Sequence, residues 1–329
     1  MKTIRWGIIG TGNISSTFAK AVTSLEGAKL VAVASRSQER ANEFAEKFHI
    51  EKAYGSYQEL ALDPELDVVY IGTPHTEHFS NARECIINKK AVLCEKPITL
   101  NQSETMHLIE LAKEHKVFLM EAMWTKFLPV TQQVKQWVKE KRIGRVKHLK
   151  ISFGFYKDFD PEHRLFNPNL AGGALLDVGI YPITYTIHML DKLPDQILSF
   201  SEIGKSGVDE QNVIIFKYNE GMLAQLSSSV LLDTGDDAEI IGENGRIVVP
   251  KFWMAESALL YDKEGKLLES CSIPHKVNGY EYEAMEVNRC LRDGKLESDL
   301  VPLKDTLNIM KLMDQMRNEW GLKYPQEEE

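Results

Sequence analysis

Near its start the chain reads Ile4-Arg5-Trp6-Gly7-Ile8-Ile9-Gly10-Thr11-Gly12-Asn13-Ile14-Ser15, and no other stretch restricts the fold as much. Six β-prone residues run into a turn with two glycines, and a helical pattern through Phe18, Val22 and Leu25 follows. A strand that turns on glycine into a helix leaves backbone N–H groups facing open space at the positive end of the helix, an arrangement that suits a pyrophosphate. Gly10 fits the tight turn and Gly12 the close approach. Ser15 holds the third position, where glycine or alanine is usual, and is still small enough for close helix packing. This opening predicts a dinucleotide-binding Rossmann domain, a doubly wound parallel sheet.

The second strand, Lys29 to Ala34, should end where an NAD-specific site places an acid for the ribose 2′-hydroxyl. Here the sequence is Ser35-Arg36-Ser37-Gln38-Glu39-Arg40. Hydroxyls and two guanidinium groups suit a 2′-phosphate, so Ser35, Arg36 and Arg40 point to NADP over NAD. The alternative for Arg40 is a solvated helix residue paired with Glu39 or Glu43.

Strand and helix patterns keep alternating, which makes the sheet parallel. Val68 to Ile71 ends in Gly72-Thr73-Pro74-His75-Thr76-Glu77-His78, a turn at the same sheet edge. Thr73, Pro74, His75 and His78 are expected at the cofactor, and His78 is also suited to hold the turn through backbone hydrogen bonds. A metal on His75 and His78 lacks a supporting acid and is not expected. The next buried strand, Val92-Leu93-Cys94-Glu95-Lys96-Pro97, delivers a carboxylate and an amine to that edge, where open α/β folds bind ligands. The following strand candidate, Val117 to Met120, leads to Trp124, either core or a pocket wall.

Near Gly144 the pattern changes. Arg145 to Phe153 alternates like a half-exposed strand, and further candidates lie at Val213 to Tyr218, Met222 to Val230, Glu239 to Ile241 and Arg246 to Val249. Asn219-Glu220-Gly221 and Gly242-Glu243-Asn244-Gly245 read as turns between them. The expectation is a Rossmann domain over residues 1–124 and an α+β domain over 125–329, the latter with an open-faced, mostly antiparallel sheet. One face would carry helices and the other would be free for a second copy, giving a homodimer. The closing helices, Tyr280 to Leu291 and Val301 to Trp320, end in a tail, Gln326 to Glu329, expected to fray, and the last helix can pack back on the first domain.

Within the second half, Gly172-Gly173-Ala174-Leu175-Leu176-Asp177-Val178-Gly179-Ile180-Tyr181-Pro182 places an acid and a phenol four residues apart. On a helix they share a face, although the glycines and the proline predict an irregular start. Asp177 is suited to orient a substrate hydroxyl, and Tyr181 to exchange its proton if an ammonium, Lys96 being the candidate, makes the phenol more acidic. A lysine acting as the base itself must lose its charge near neutrality, which costs about 5 kcal/mol, so either residue remains open as the immediate proton acceptor. A helix cap for Asp177 and a buried ring for Tyr181 are the structural alternatives.

Length and composition set the outer limits. The 329 residues, 43% hydrophobic and 26% charged, suit two ordinary domains, and the net charge of −9 argues against nucleic acid as the main partner. Cys85, Cys94, Cys271 and Cys290 are widely spaced without metal-site patterns, which predicts a reducing, cytoplasmic setting. The apolar run after Met1 breaks at Gly10, so no signal peptide is expected, and no unbroken apolar stretch reaches the ~18 residues of a membrane span.

Taken together, Gly10-Thr11-Gly12-Asn13-Ile14, Cys94-Glu95-Lys96-Pro97, Glu121-Ala122-Met123-Trp124 and the segment from Gly172 to Tyr181 resemble the glucose-fructose oxidoreductase, inositol dehydrogenase and MocA family (Gfo/Idh/MocA) over nearly the whole chain. Within that family the chain is most similar to its dihydrodiol and D-xylose dehydrogenase branch. The resemblance implies Lys96 as the catalytic lysine and Tyr181, where most members have histidine, as acid/base. It also implies Asp177 at the substrate, Trp124 and Phe153 as aromatic pocket walls, and Asn13, Ile14, Glu95 and Lys96 near the cofactor. Lys126 departs from that branch, where arginine is expected. The implied function is hydride transfer between NADP and a hydroxyl of a sugar or cyclic diol. The alternatives are an NAD-dependent inositol- or amino-sugar-type dehydrogenase and a non-catalytic NADP-binding sensor.

Overall fold

The computed structural model describes residues 2–219 and 221–327. Its chain groups into two compact units, Met1–Trp124 with Lys276–Lys311, and Thr125–His275 with Leu312–Glu329. The sequence reading ran the second domain on from 125 to 329. Residues 276–311 group with the first unit because their helix buries its face there: Trp6 Nε1 donates to Asn288 Oδ1 (3.1 Å) and Asn278 Nδ2 to the Thr17 carbonyl (2.9 Å).

In the first unit strands and helices alternate as β1 (Ile4–Ile9), α1 (Asn13–Thr23), β2 (Ala28–Ala34), α2 (Gln38–Phe48), β3 (Lys52–Tyr54), α3 (Tyr57–Leu62), β4 (Val68–Ile71), α4 (His78–Ile87), β5 (Ala91–Glu95), α5 (Gln102–His115) and β6 (Leu119–Ala122). All six strands are parallel, in the order β3-β2-β1-β4-β5-β6. That order reverses between β1 and β4, and a ligand crevice forms outside the carboxyl ends of strands at such a switch. Strands covered by helices on both faces are buried throughout, as in β4 and β5, which are apolar except for Glu95 at the end of β5. Three of these helices, α2, α3 and α5, start on short polar caps: Ser37, Ser56 and Asn101 accept from Arg40, Glu59 and Glu104 N–H groups. The last strand runs Leu119–Ala122, two residues later than the apolar run Val117–Met120 suggested, so that Glu121 enters the sheet.

The second unit begins with α6 (Pro129–Lys139) and β7 (Val146–Gly154), then a π-helical turn at Leu175–Gly179 that runs into α7 (Ile180–Leu190). Seven strands follow: β8 (Gln196–Ile203), β9 (Asp209–Tyr218), β10 (Met222–Ser229), β11 (Ala238–Gly242), β12 (Gly245–Val249), β13 (Ser257–Asp262) and β14 (Leu267–Ser272). The helix α8 (Tyr280–Arg292) belongs to the first unit, and α9 (Leu303–Trp320) is divided between the two. The eight strands form one sheet, β14-β13-β12-β11-β7-β10-β9-β8, antiparallel except for the β7–β10 pair. Alternation gives it a core face, with Leu149, Ile151, Ile214, Phe216, Ala224, Leu226, Ile240 and Ile247 buried. The other face is open: Phe200, Val213, Ser227 and Ser152 form one cross-strand row, with Phe200 68% exposed. The Asn219-Glu220-Gly221 turn signal falls between β9 and β10, with Glu220 outside the described residues.

The stretch Pro168–Leu190 is long enough and on average apolar enough to cross a membrane, but Asp177 interrupts it, in keeping with the expectation of no unbroken apolar run, and 94% of its most apolar window is buried within the protein, as befits a core segment. One expectation is corrected here. The expected frayed tail is ordered as far as described. Arg317 pairs with Glu327 (2.7 Å) and Gln326 Nε2 donates to the Asn169 carbonyl (2.9 Å). Glu328 and Glu329 lie outside the described residues.

Candidate active site

In the first unit, a cleft of about 590 Å³ opens at the β1–β4 switch. Gly10 has φ +100°, and a Cβ there would come within 2.7 Å of the Gly72 carbonyl oxygen, so only glycine is unstrained at this turn. Gly12 caps α1 with no side-chain hydrogen bond, leaving the first-turn N–H groups to the cleft, and a Cβ at Gly12 would meet nothing within 4 Å. Ser15 is buried with its Oγ near the Gly72 carbonyl (3.5 Å), which is how a serine serves at the third position. Gly10, Gly12 and Asn13 line the cleft with Ser35, Arg36, Arg40, Thr73 and Pro74. Lys47 and Tyr57 line it too and were not foreseen, although Arg40, Phe44 and Lys47 recur at helical spacing on α2. Burial raises the Tyr57 phenol pKa and the Arg36 charge opposes the rise. A glycine cradle, an uncapped helix end and three cations form a site that fits a phosphorylated dinucleotide.

Ile14, His75, His78, Glu95 and Lys96 are not part of that lining. Instead His78 is fully buried, with Nδ1 2.8 Å from the Pro97 carbonyl and Nε2 2.9 Å from the Thr73 carbonyl. It fastens the loop after β4 to the loop after β5. Burial, aided by the Lys96 charge, lowers its pKa against the pull of the two carbonyls. Both ring nitrogens are used in this way, so His78 offers nothing to a metal, and no metal-holding cluster occurs among the described residues.

At the end of β5, Tyr70 donates to Glu95 Oε1 (2.6 Å), and the Lys96 N–H donates to Glu95 Oε2 (3.2 Å). The Lys96–Pro97 peptide is cis. Glu121 secures the next residues, accepting from the Ile98 N–H (3.1 Å) and from Thr306 Oγ1 (3.2 Å). Lys96 therefore sits on a backbone fixed on both sides by buried carboxylates. Trp124 is 2% exposed and stacks on Tyr280, with ring centroids 4.3 Å apart and planes at 12°.

The second unit gathers the other group of expected residues. Arg164 grips Asp177 with Nη1–Oδ1 at 2.8 Å and Nη2–Oδ2 at 3.4 Å. Burial acts against the Arg164 charge, and Asp177 with nearby Tyr181 more than offsets it, raising the guanidinium pKa. Phe153 meets the Tyr181 ring edge-on (5.5 Å) and stacks on Trp253 (4.9 Å, 16°). Trp253 is held by its Nε1 donating to Asp236 Oδ2 (3.1 Å). The segment from Asp177 to Tyr181 is not a plain α-helix, since Asp177 lies in a π turn that ends at Gly179 and Tyr181 in the α-helix that follows. Arg164 and Trp253 were missed: Arg164 lies in a turn and Trp253 on a single 3₁₀ turn, and their only sequence signals are a charge and an aromatic outside the segment that carries Asp177 and Tyr181.

Known proteins match this architecture. Residues 4–123 match the model of the oxidoreductase family with an NAD-binding Rossmann fold, and residues 131–248 the GFO/IDH/MocA C-terminal domain. The chain belongs to the Gfo/Idh/MocA family of oxidoreductases and is an NAD(P)-dependent dehydrogenase of that class. It is 37% identical over 334 residues to trans-1,2-dihydrobenzene-1,2-diol dehydrogenase of Danio rerio, with 98% of this chain and 99% of the relative covered. The corresponding enzyme of Xenopus laevis is 36% identical at the same coverage. D-xylose 1-dehydrogenase (NADP(+)) of Hypocrea jecorina is 34% identical, covering 98% of this chain and 94% of the relative. A 3-ketoreductase from Actinomadura kijaniata shares the fold, with a TM-score of 0.87 at 23% identity, covering 96% and 98% of the two chains.

Proposed function

We propose that the protein is an NADP-dependent dehydrogenase acting on a hydroxyl of a sugar or cyclic diol. The observation that carries the reading is the Arg164–Asp177 pair beside Tyr181 and the Phe153–Trp253 stack. An oriented carboxylate accepts a substrate hydroxyl, and an aromatic wall covers the apolar face of a sugar or diol ring. Arg36, Arg40 and Lys47, in the same cleft as the glycine turn, support a 2′-phosphate and so NADP over NAD. The names of the dihydrodiol and D-xylose dehydrogenase relatives support the same substrate classes.

When bound, the nicotinamide supplies the carbon that exchanges hydride with the substrate. The chain's own residues do the rest. Gly10, Gly12 and the start of α1 hold the pyrophosphate, while Arg36, Arg40 and Lys47 hold the 2′-phosphate. Asp177, steadied by Arg164, orients the hydroxyl. Lys96 and Tyr181 handle the proton. In this reading the protein is a cytoplasmic homodimer; the free cysteines support a reducing setting, and the exposed Phe200, Leu198 and Val213 support pairing through the open sheet face.

The test is nicotinamide absorbance across aldoses and trans-dihydrodiols with NADP and with NAD. Turnover with NADP and D-xylose or trans-1,2-dihydrobenzene-1,2-diol is expected. No turnover with any member despite tight NADPH binding would replace the reading with a nucleotide sensor.

A further inference from the structure

The segment that carries Asp177 is held from two sides by buried groups that the proposed chemistry does not use. On the sheet side stands Asp209, the first residue of β9, with no exposed surface. Its Oδ2 accepts the Leu175 N–H (2.7 Å), the first residue of the π turn, and Asn212 Nδ2 (3.0 Å). Asn212 Oδ1 in turn accepts from Ser228 Oγ (2.9 Å) on β10. The far end of the turn rests on the same chain, since a Cβ at Gly179 would come 2.9 Å from Ser228 Oγ. Gly173, with φ +121°, leaves the space that Asp209 fills: a Cβ there would lie 2.2 Å from Asp209 Oδ1. On the other side Tyr324, fully buried, donates its hydroxyl to the Gly172 carbonyl (2.7 Å), with the Arg317 guanidinium 5.1 Å from its ring centre.

A buried carboxylate is expensive to keep, and a sheet strand does not need one at this position. What Asp209 supplies is a carboxyl oxygen as acceptor for the N–H at the start of the π turn. π turns are less regular than α-helix and concentrate at functional sites, so their pitch depends on such outside anchors. We propose that Asp209 is a positioning residue: through the Leu175 N–H and the Asn212–Ser228 chain it fixes the π turn so that Asp177 and Tyr181 are presented to substrate. The inference rests on the reading of Asp177 and Tyr181 given above.

The test uses the full chain with Asp209→Ala and Asp209→Asn, read by hydrogen exchange, NADPH binding and steady-state kinetics with D-xylose. In Asp209→Ala, amide exchange over residues 172–181 should rise at least tenfold and kcat should fall at least tenfold. NADPH affinity should stay within twofold. Asp209→Asn keeps an oxygen for the Leu175 N–H and should restore exchange and kcat to within about threefold of wild type. If Asp209→Ala does not fold, Asn212→Ala, which removes the donor to Asp209 and the acceptor for Ser228 Oγ but leaves the Leu175 N–H bond, should raise exchange over the same residues by a smaller factor. Unchanged exchange over 172–181 in the folded variants, or a rise spread equally over the sheet, would overturn the proposal. If the wild type turns over neither aldoses nor diols, the dehydrogenase reading fails, and the exchange result still decides whether Asp209 holds the turn.

Discussion

The Arg164 guanidinium holds the Asp177 carboxylate at 2.8 Å, with the arginine side chain half in solvent and the aspartate almost fully enclosed. The aspartate needs the pair more than the arginine does, because an enclosed carboxylate without a partner is costly. Arg164→Gln should therefore lower kcat/KM for the sugar or diol by about tenfold or more, at ~1.4 kcal/mol per decade. NADPH affinity, measured by fluorescence titration, should not change. Equal loss of nucleotide and substrate binding would mean that Arg164 only supports the fold.

Lys96→Met removes the ammonium while keeping a chain of similar length. Loss of a group that supports proton transfer costs roughly 10²- to 10⁴-fold in rate. Turnover should fall into that range with NADPH still bound, and a variant with wild-type rates would refute the role assigned to Lys96.

Arg36→Ala and Arg40→Ala each remove a cation from the cleft. Charged hydrogen bonds of this kind contribute about 1.5–3 kcal/mol, so NADP affinity should drop roughly tenfold or more. Affinity for NAD should hardly move. Equal effects on both nucleotides would show that the arginines do not read the 2′-phosphate.

His188 gives the fold an acid-sensitive point. Burial, with the Lys126 and Lys135 charges, pushes its pKa down to about 3, against 6.5 when unfolded. The unfolded chain thus binds the proton more readily, and stability falls as pH drops from about 6.5 toward 3, by at most ~1.4 kcal/mol per unit. Asp209, raised to about 7 by burial, works the other way, its contribution declining as pH rises from 3.8 to 7. Between pH 6.5 and 4.5 the two effects oppose each other, so His188→Gln should leave Asp209's contribution unopposed and make Tm rise relative to wild type as pH falls. Parallel Tm profiles for variant and wild type would rule out His188 as the source.

Phe200 is 68% exposed on the open sheet face, in a row with Val213. A charge at that position should break pairing between two such faces. If the proposed homodimer pairs through this face, Phe200→Asp is expected to halve the mass measured by light scattering without changing the far-ultraviolet dichroism. An unchanged dimer would place the interface elsewhere.

Much of the first unit was legible because its signals are local. The Gly10–Gly12 turn, the arginines after β2 and the strand ending in Glu95-Lys96-Pro97 each declare themselves within a few residues. In the second unit, β8, β13 and β14 escaped notice. β8 and β14 are the sheet's edges, and β8 mixes serine and glutamate with apolar residues that face outward, so alternation does not mark it. His78 was read as a turn holder and does that; its place away from the cleft follows from two carbonyls on separate loops.

By itself, the sequence determined the parallel first sheet, the glycine cradle and the choice of residue types at the site, since helix, strand and turn periods are short-range properties. Only the tertiary structure decided which distant groups complete them. Arg164 reaches Asp177 across 13 positions, Trp253 meets Phe153 from 100 residues further along, and Asp209 reaches Leu175 from 34 away. Such partners are chosen by burial, because an enclosed charge or N–H must find a counterpart wherever the folded chain brings one.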